Sequence, residues 1–390
     1  MPAEVFFTRQ PLVNRQSKII ATRLRLAFPE GVDPMPAAAE GLGTLVDVWP
    51  QGEKSVFISS GAPLSPELLN WDVPANATLE VHPFALTTGD GILLTELKNR
   101  NPSLCLDFGD DASQALSSGL HFRFIGFDVD AYTPAQMKAL VAKTQPFGIP
   151  VAFNADSPQE FQACMDAGVS AASGWFFKNM TAPAGKALNP SHAHIVRVLN
   201  LVRNNEDTGK IEAALKQDVA LSYKLLRYIN SVGFGLSCEI QSFKHAVTIL
   251  GYDKLNKWLS LLLVTASKDP MAPALMHTAL TRARLMETLG HGLVDKSEYD
   301  NLFITGAFSL LDHMLGVPME QVLDAMHLPE PITDALLGRG GMYAPFHAIA
   351  LACEATDGTA LIEQAGMLGL SADQVNKAQL EALAFAEKME

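Results

Sequence analysis

The fold turns on the stretch Phe122-Arg-Phe-Ile-Gly-Phe-Asp128 and the segments C-terminal to it: 134–144, then Pro150-Val-Ala-Phe-Asn154, then 158–167 and 172–177. Short apolar runs bounded by turn residues alternate here with segments of helical period. In 158–167, Phe161, Cys164 and Met165 share one face, and Pro158 suits a first helical turn. Strand, helix and strand in this order imply a parallel sheet, open or closed into a barrel, and spacing alone leaves both open. Working back, 4–7, 18–26, 44–48, 55–59, 78–82 and 103–108 read as further strands, with helical patterns over 65–70 and 91–99.

Beyond Asn179 the pattern changes. Thr181-Ala-Pro-Ala-Gly-Lys-Ala-Leu-Asn-Pro190 has the composition of a linker, and nearly every later segment carries helix period. Ile195, Val198, Leu199 and Val202 fall on one face, as do Leu221, Leu225, Leu226 and Ile229 after the N-cap candidate Asp218. Ser242 opens a helix ending at Gly251, and Asp253 opens one burying Leu255, Trp258, Leu259, Leu262 and Leu263. Ser297-x-x-Asp300 resembles a capping box before a helix closing at Gly316, and Ser371-x-x-Gln374 begins the last helix. The expected division is a barrel or sheet domain over 1–180, a linker over 181–191 and a helical domain over 192–390.

Composition excludes several function classes. The 390 residues are 48% hydrophobic and 18% charged, which describes ordered, core-forming protein. A net charge of −13 repels phosphate backbones and anionic lipid, arguing against generic nucleic-acid or membrane-surface binding. The best apolar run, 258–266, is far below the ~18 residues of a membrane span. The opening residues lack a secretory pattern, and Cys105, Cys164, Cys238 and Cys353 form no CxxC, so a cytoplasmic protein without a disulfide framework or cysteine zinc site is expected.

Specific residues point further. Arg9-Gln-Pro-Leu12, with Asn14-Arg15 and Lys18-Ile-Ile20, resembles the opening of bacterial EAL-type cyclic-di-GMP phosphodiesterase domains fused to an HDOD domain. Asp218-Val-Ala-Leu-Ser-Tyr-Lys-Leu-Leu-Arg-Tyr-Ile-Asn-Ser231 is similar to the HDOD signature helix. Ser242 to Gly251, Phe303 to Asp312 and Pro318 to Leu323 are similar to its later segments in the expected order. The resemblance implies a shortened (β/α) TIM-like barrel followed by an all-helical, HD-related domain.

It also implies a metal site, and here the chain departs from the family. Active EAL domains hold divalent metals with carboxylates, an Asn and a Gln, and a Lys assists the attacking water. The motif Glu falls on Arg23, the Asn on Ser59, the Lys on Gly126, a late Glu on Phe153 and the Gln on Ser173. Glu80 and Asp128 are kept, and Asp107 keeps one acid of a pair whose other position is Leu106. Hard divalent ions need oxygen ligands. Two unit charges 4 Å apart interact by about 4 kcal/mol at an effective dielectric of 20, so a divalent ion opposite Arg23 instead of a carboxylate goes from about 8 kcal/mol of attraction to about 8 kcal/mol of repulsion, upper-bound figures. No catalytic residue, metal or cofactor is therefore expected.

The HD-type metal pair is missing as well. Its position reads Ser309-Leu310, and Asp312-His313 has the reverse order, with side chains expected to diverge by ~100°. His192-x-His194 reads as an exposed helix start, Phe108-Gly-Asp-Asp111 as a turn, Gly338-Arg-Gly-Gly341 as a helix stop and 259–264 as core. Asn230 and Ser231 end the signature helix or shape a partner-facing notch. The expected function is a non-catalytic module of bacterial signal transduction that docks protein partners. The alternatives are a cyclic-di-GMP sensor without turnover, in which phosphates meet Arg23, and a divergent cyclic-di-GMP phosphodiesterase.

Overall fold

Asn14 turns the chain. Its Oδ1 accepts from the amides of Gln16 and Lys18, both at 3.0 Å, and folds β1 (Phe6–Asn14) onto β2 (Ile19–Ala27) as an antiparallel hairpin. In this computed structural model, which describes residues 5–87, 91–179, 190–217, 243–265 and 271–389, six more strands complete the sheet. They are β3 (Ser55–Ser59), β4 (Ala77–Val81), β5 (Ser103–Asp107), β6 (Phe124–Asp128), β7 (Ile149–Phe153) and β8 (Ala171–Ser173). They close in order into an eight-stranded barrel. Pairing is parallel from β2 to β8, but β1 is antiparallel to both neighbours, so the all-parallel expectation fails at the hairpin.

Two capping boxes aim the later strands. Thr133 with Gln136 opens helix Pro134–Thr144, and Ser157 with Glu160 opens Pro158–Ala167, each with Pro in its first turn. Inside the barrel, Leu12, Ala21, Phe57, Cys105, Phe124, Val151, Phe153 and Ala171 form one cluster. The Phe57 ring lies 4.8 Å from Phe124 and 6.2 Å from Phe153, centroid to centroid. Elsewhere the local reading needs correction. Residues 44–48 contain a 3-10 turn, Val46–Val48, whose Val46 is 56% exposed and so lacks the burial a central strand requires. Residues 172–177 split into β8 and the 3-10 turn Phe176–Lys178.

The chain forms two compact units, residues 1–180 with 351–384 and residues 181–350 with 385–390. The expected division assigned all of 192–390 to the helical half, but the segment 351–384 packs with the barrel. β8 pairs with β1 only at Leu12–Asn14, so the first half of β1 needs another neighbour. The segment supplies one. The Phe7 amide donates to Asn376 Oδ1 at 3.1 Å, and Asn376 Nδ2 donates to the Val5 carbonyl at 2.6 Å. Gln379 Nε2 donates to the Phe7 carbonyl at 2.8 Å, and the Arg9 amide donates to the Cys353 carbonyl at 2.7 Å. Pro11, next on that edge by alternation, has no N–H to leave unpaired. The helix carrying Asn376 and Gln379, Ala372–Lys388, opens with the expected Ser371–Gln374 box.

The other unit is helical: Pro190–Arg203, Thr208–Leu215, Phe243–Thr265, Ala272–Gly290, Tyr299–Phe308 and shorter helices to Glu330–Leu336. Ile195, Val198, Leu199 and Val202 are buried, as are Leu255, Leu259, Leu262 and Leu263. The Ser297 box is not formed. Asp295 accepts from the Ser297 amide and caps a 3-10 turn, and the helix ends at Phe308 before Leu311–Leu315 stops at Gly316. Ser309 comes directly after the first of these helices. Asp218, Asn230, Ser231 and Ser242 lie outside the described residues.

Gly251 breaks Phe243–Thr265 where a helix end was expected, with φ 74° and ψ 175°, a region closed to other residues. Among the described residues nothing lies within 4 Å of a Cβ built there, so the strain of a side chain is conformational. Gly251→Ala is expected to lower stability by about 1–3 kcal/mol in urea unfolding, with no loss of packing density.

Candidate functional site

Six of the eight barrel positions singled out in the sequence meet at the C-terminal mouth of the parallel strands, where loops converge and βα-barrels place their chemistry. Arg23 on β2 reaches across to Glu80 on β4 as a two-pronged pair, Nε to Oε1 at 2.7 Å and Nη2 to Oε2 at 2.8 Å. Both side chains are more than nine-tenths buried. Nη2 also approaches Ser59 Oγ at 3.4 Å, and Nη1 approaches Asn154 Oδ1 at 3.5 Å. Asn154 in turn donates to Asp128 Oδ2 at 3.0 Å. The guanidinium carbon sits 4.0 Å above the Phe153 ring centre, a cation–π contact.

Burial works against the charge on Arg23, but Glu80, by Coulomb attraction and hydrogen bonding, more than offsets it and raises its pKa. Asp107 at the end of β5 has its pKa raised by burial and by Glu80, against the pull of His82 and Arg23. Arg23, Ser59, Glu80 and Asp107 line a cleft of about 410 Å³ with His82 and Phe84.

Gly126 and Phe153 belong to one arrangement. A Cβ built on Gly126 would fall 2.3 Å from Phe153 Cε2, so the ring fills the room of any side chain at 126. Ser173 stands apart: it is fully buried and its Oγ donates to Gln10 Oε1 at 3.3 Å.

Three mouth residues were not legible in the sequence. Asn154 holds φ 65°, and its place after the last strand residue was the available signal. His82 turns its Nδ1 to the Phe84 amide at 3.2 Å. Arg25, two residues along β2 from Arg23, has a buried Nη1 with no hydrogen-bond partner among the described residues, and its pKa is lowered by burial and then by Arg23. Its alternation with Arg23 was visible, but not its burial.

Residues 188–318 match the HDOD domain family model. The chain is 27% identical over 233 residues to the cyclic di-GMP phosphodiesterase CdgJ of Vibrio cholerae, covering 60% of this chain and 54% of that protein, so it spans about half the length of that relative. It is 21% identical over 367 residues to the uncharacterized protein YuxH of Bacillus subtilis, covering 87% of this chain and 88% of that one. Among solved structures it is similar to the EAL domain of Mycobacterium smegmatis DcpA, with 13% identity and a TM-score of 0.35 over 44% of this chain and 90% of that one. It is also similar to a manganese and cy-diGMP complex of Klebsiella pneumoniae BlrP1, with 17% identity and a TM-score of 0.35 over 45% and 55%. The chain carries an HDOD domain, and its other unit is built on an eight-stranded barrel.

In its EAL-like barrel the residues do not fit the divalent metals of active EAL domains. Both oxygens of Glu80 are committed to a guanidinium, and Gly126 and Phe153 offer no donor atom. Among the described residues no group of three or more His, Cys, Asp and Glu is placed to hold a metal ion.

In the HDOD domain, Ser309 Oγ accepts from buried Arg282 and donates to the Gly306 carbonyl at 2.7 Å. Two expectations need correction there. Asp312 and His313 do meet, Oδ1 to Nδ1 at 2.7 Å, because on a five-residue helix the longer imidazole can swing back to its neighbour. His192 is buried, not part of an exposed helix start, since it lies on the apolar face with Ile195 and Val196.

The packing and charge of the mouth set two expected outcomes. Gly126→Ala is expected to cost about 1–3 kcal/mol by overpacking, and most of that is recovered in Gly126→Ala/Phe153→Leu, read as a double-mutant cycle in urea. The raised pKa of Asp107 means the folded state binds its proton more tightly than the unfolded state. Its contribution is therefore most favourable at low pH and is lost as pH rises from about 3.8 through the raised value. Asp107→Asn should flatten that fall and raise stability at pH 7 relative to the parent chain.

Proposed function

We propose that this chain is a non-catalytic member of cyclic-di-GMP signalling, in which the EAL-like barrel and the HDOD domain dock and regulate protein partners. The observation that carries this reading is the Arg23–Glu80 pair under the mouth of the barrel, with Phe153 against its guanidinium. A fixed organic cation stands where metal-assisted hydrolysis would need a divalent ion, and it cannot lower the pKa of a bound water as Mg²⁺ or Mn²⁺ would. The acids at the mouth, Glu80, Asp107 and Asp128, outnumber the cations Arg23 and Arg25. A doubly charged cyclic dinucleotide therefore meets a field that does not favour it. The relationship to a cyclic di-GMP phosphodiesterase supports placement in that signalling system.

Purified full-length chain incubated with cyclic-di-GMP and Mn²⁺ should release no linear dinucleotide above the protein-free control, and calorimetric titration with the same nucleotide should show no saturable heat. Turnover that disappears in Glu80→Gln would establish a phosphodiesterase instead. Saturable binding without turnover, weakened by Arg23→Ala, would establish a sensor.

A further inference from the structure

Strand β1 takes its second neighbour from two distant parts of the chain. The three residues of β8 serve Leu12–Asn14, and the segment 351–384 serves the half from Val5 to Arg9. Open strand edges leave backbone donors and acceptors unpaired, so this segment does the work of a missing strand with side-chain amides one helical turn apart.

The same stretch ties the chain at a neck. Glu354, with its side chain 1% exposed, accepts from Arg9 Nη2 at 3.0 Å and from Lys178 Nζ at 2.8 Å. Arg9 Nη1 donates to Gln379 Oε1 at 3.1 Å. Lys178 ends the last turn before the chain leaves the barrel unit, and Glu354 lies just after it returns at 351. One buried carboxylate thus joins departure, return and first strand. A little further on, a Cβ at Gly358 would fall 2.0 Å from Ala27 Cβ, so the segment runs tight against the end of β2. All of residues 181–350 are inserted, in sequence, between two ends fastened to the barrel.

The fastening also adjoins the mouth. Gln10, next to Arg9, pairs with Arg23 in the β1–β2 register and accepts from Ser173 on β8.

We propose that residues 351–384 are a clasp whose seating on β1 closes the barrel wall, making closure depend on the helical unit from which the clasp emerges. A partner that shifts the two ends of 181–350 would seat or unseat it, and the change would reach the mouth through Gln10 and Arg23. The proposal holds whether or not the mouth turns over a nucleotide.

Hydrogen–deuterium exchange on the full-length chain, resolved to single amides, tests it. In Asn376→Ala/Gln379→Ala, exchange at Phe7 should rise about tenfold or more. Thr8 and Gln10, whose amides face β2 by alternation, should change less. Glu354→Gln keeps the side-chain shape and is a milder probe of the same wall, with faster exchange expected at Arg9. Gly306→Ala acts from within the helical unit, because its Cβ would fall 2.5 Å from Ala283 Cα and wedge two helices; exchange at Phe7 and Arg9 should rise several-fold there too. Unchanged exchange at Phe7 in the double variant, or at Arg9 in Glu354→Gln, overturns the clasp. In Gly306→Ala, exchange at Phe7 and Arg9 that stays at the parent rate overturns the dependence.

Discussion

The mouth of the barrel depends on a single buried ion pair. Arg23 and Glu80 are withdrawn from water together, and such a pair gains little over a well-packed apolar one, because desolvation offsets most of the attraction. Its value lies in what breaking it would leave. Losing either partner strands a charge in the barrel at a cost of about 3–5 kcal/mol, so the pair fixes both residues once they are present. The surrounding groups complete the solution. Ser59 and Asn154 reach towards the remaining guanidinium nitrogens, Asn154 passes a hydrogen bond on to Asp128, and Phe153 covers one face of the cation.

Phe153 joins the apolar core to the mouth. It packs against Phe57 in the barrel interior and beneath Arg23, and it fills the space above Gly126. A polar side chain at 126 and this ring at 153 cannot coexist without one moving. The two positions therefore act as one packing unit, and a polar side chain introduced at either alone would open a cavity or force a clash. This layer of the barrel mouth serves as the top of the hydrophobic core.

Much of this was legible because it depends on local chemistry. The sign of the charge at Arg23 and the absence of a donor atom at Gly126 and Phe153 need no coordinates. Helix faces such as Ile195 to Val202 are set by period alone. What was illegible depends on partners distant in sequence. Helix 372–388 has the same amphipathic period whether it packs on a bundle or a barrel, and its bonds to the barrel, those of Asn376 and Gln379 to Val5, Phe7 and Arg9 among them, reveal the choice. The antiparallel sense of β1 had a signal in Asn14, a turn former between two apolar runs, but alternating strand and helix elsewhere masked it. Asp312 and His313 met because a one-turn helix does not hold side chains to the divergence of a long one.

The clasp and the ion pair meet at neighbouring strands, β1 and β2, and they differ in how much can disturb them. Arg23 and Glu80 sit on β2 and β4, both inside the continuous run of parallel strands, so their geometry is set by a ladder that forms locally. Arg9 and the amides beside it are satisfied only after the intervening residues 181–350 have been spanned and the chain has come back. Contacts of such long sequence separation carry the larger loop-closure cost and are the weaker part of a cooperative unit. A barrel built this way has a mouth set by local pairing and a wall set by distant pairing. Regulation acting through the wall would reach the ion pair at Gln10, which pairs with Arg23 in the β1–β2 register and accepts from Ser173. Residue 10 is therefore where the clasped edge of β1 adjoins the strand that carries the ion pair.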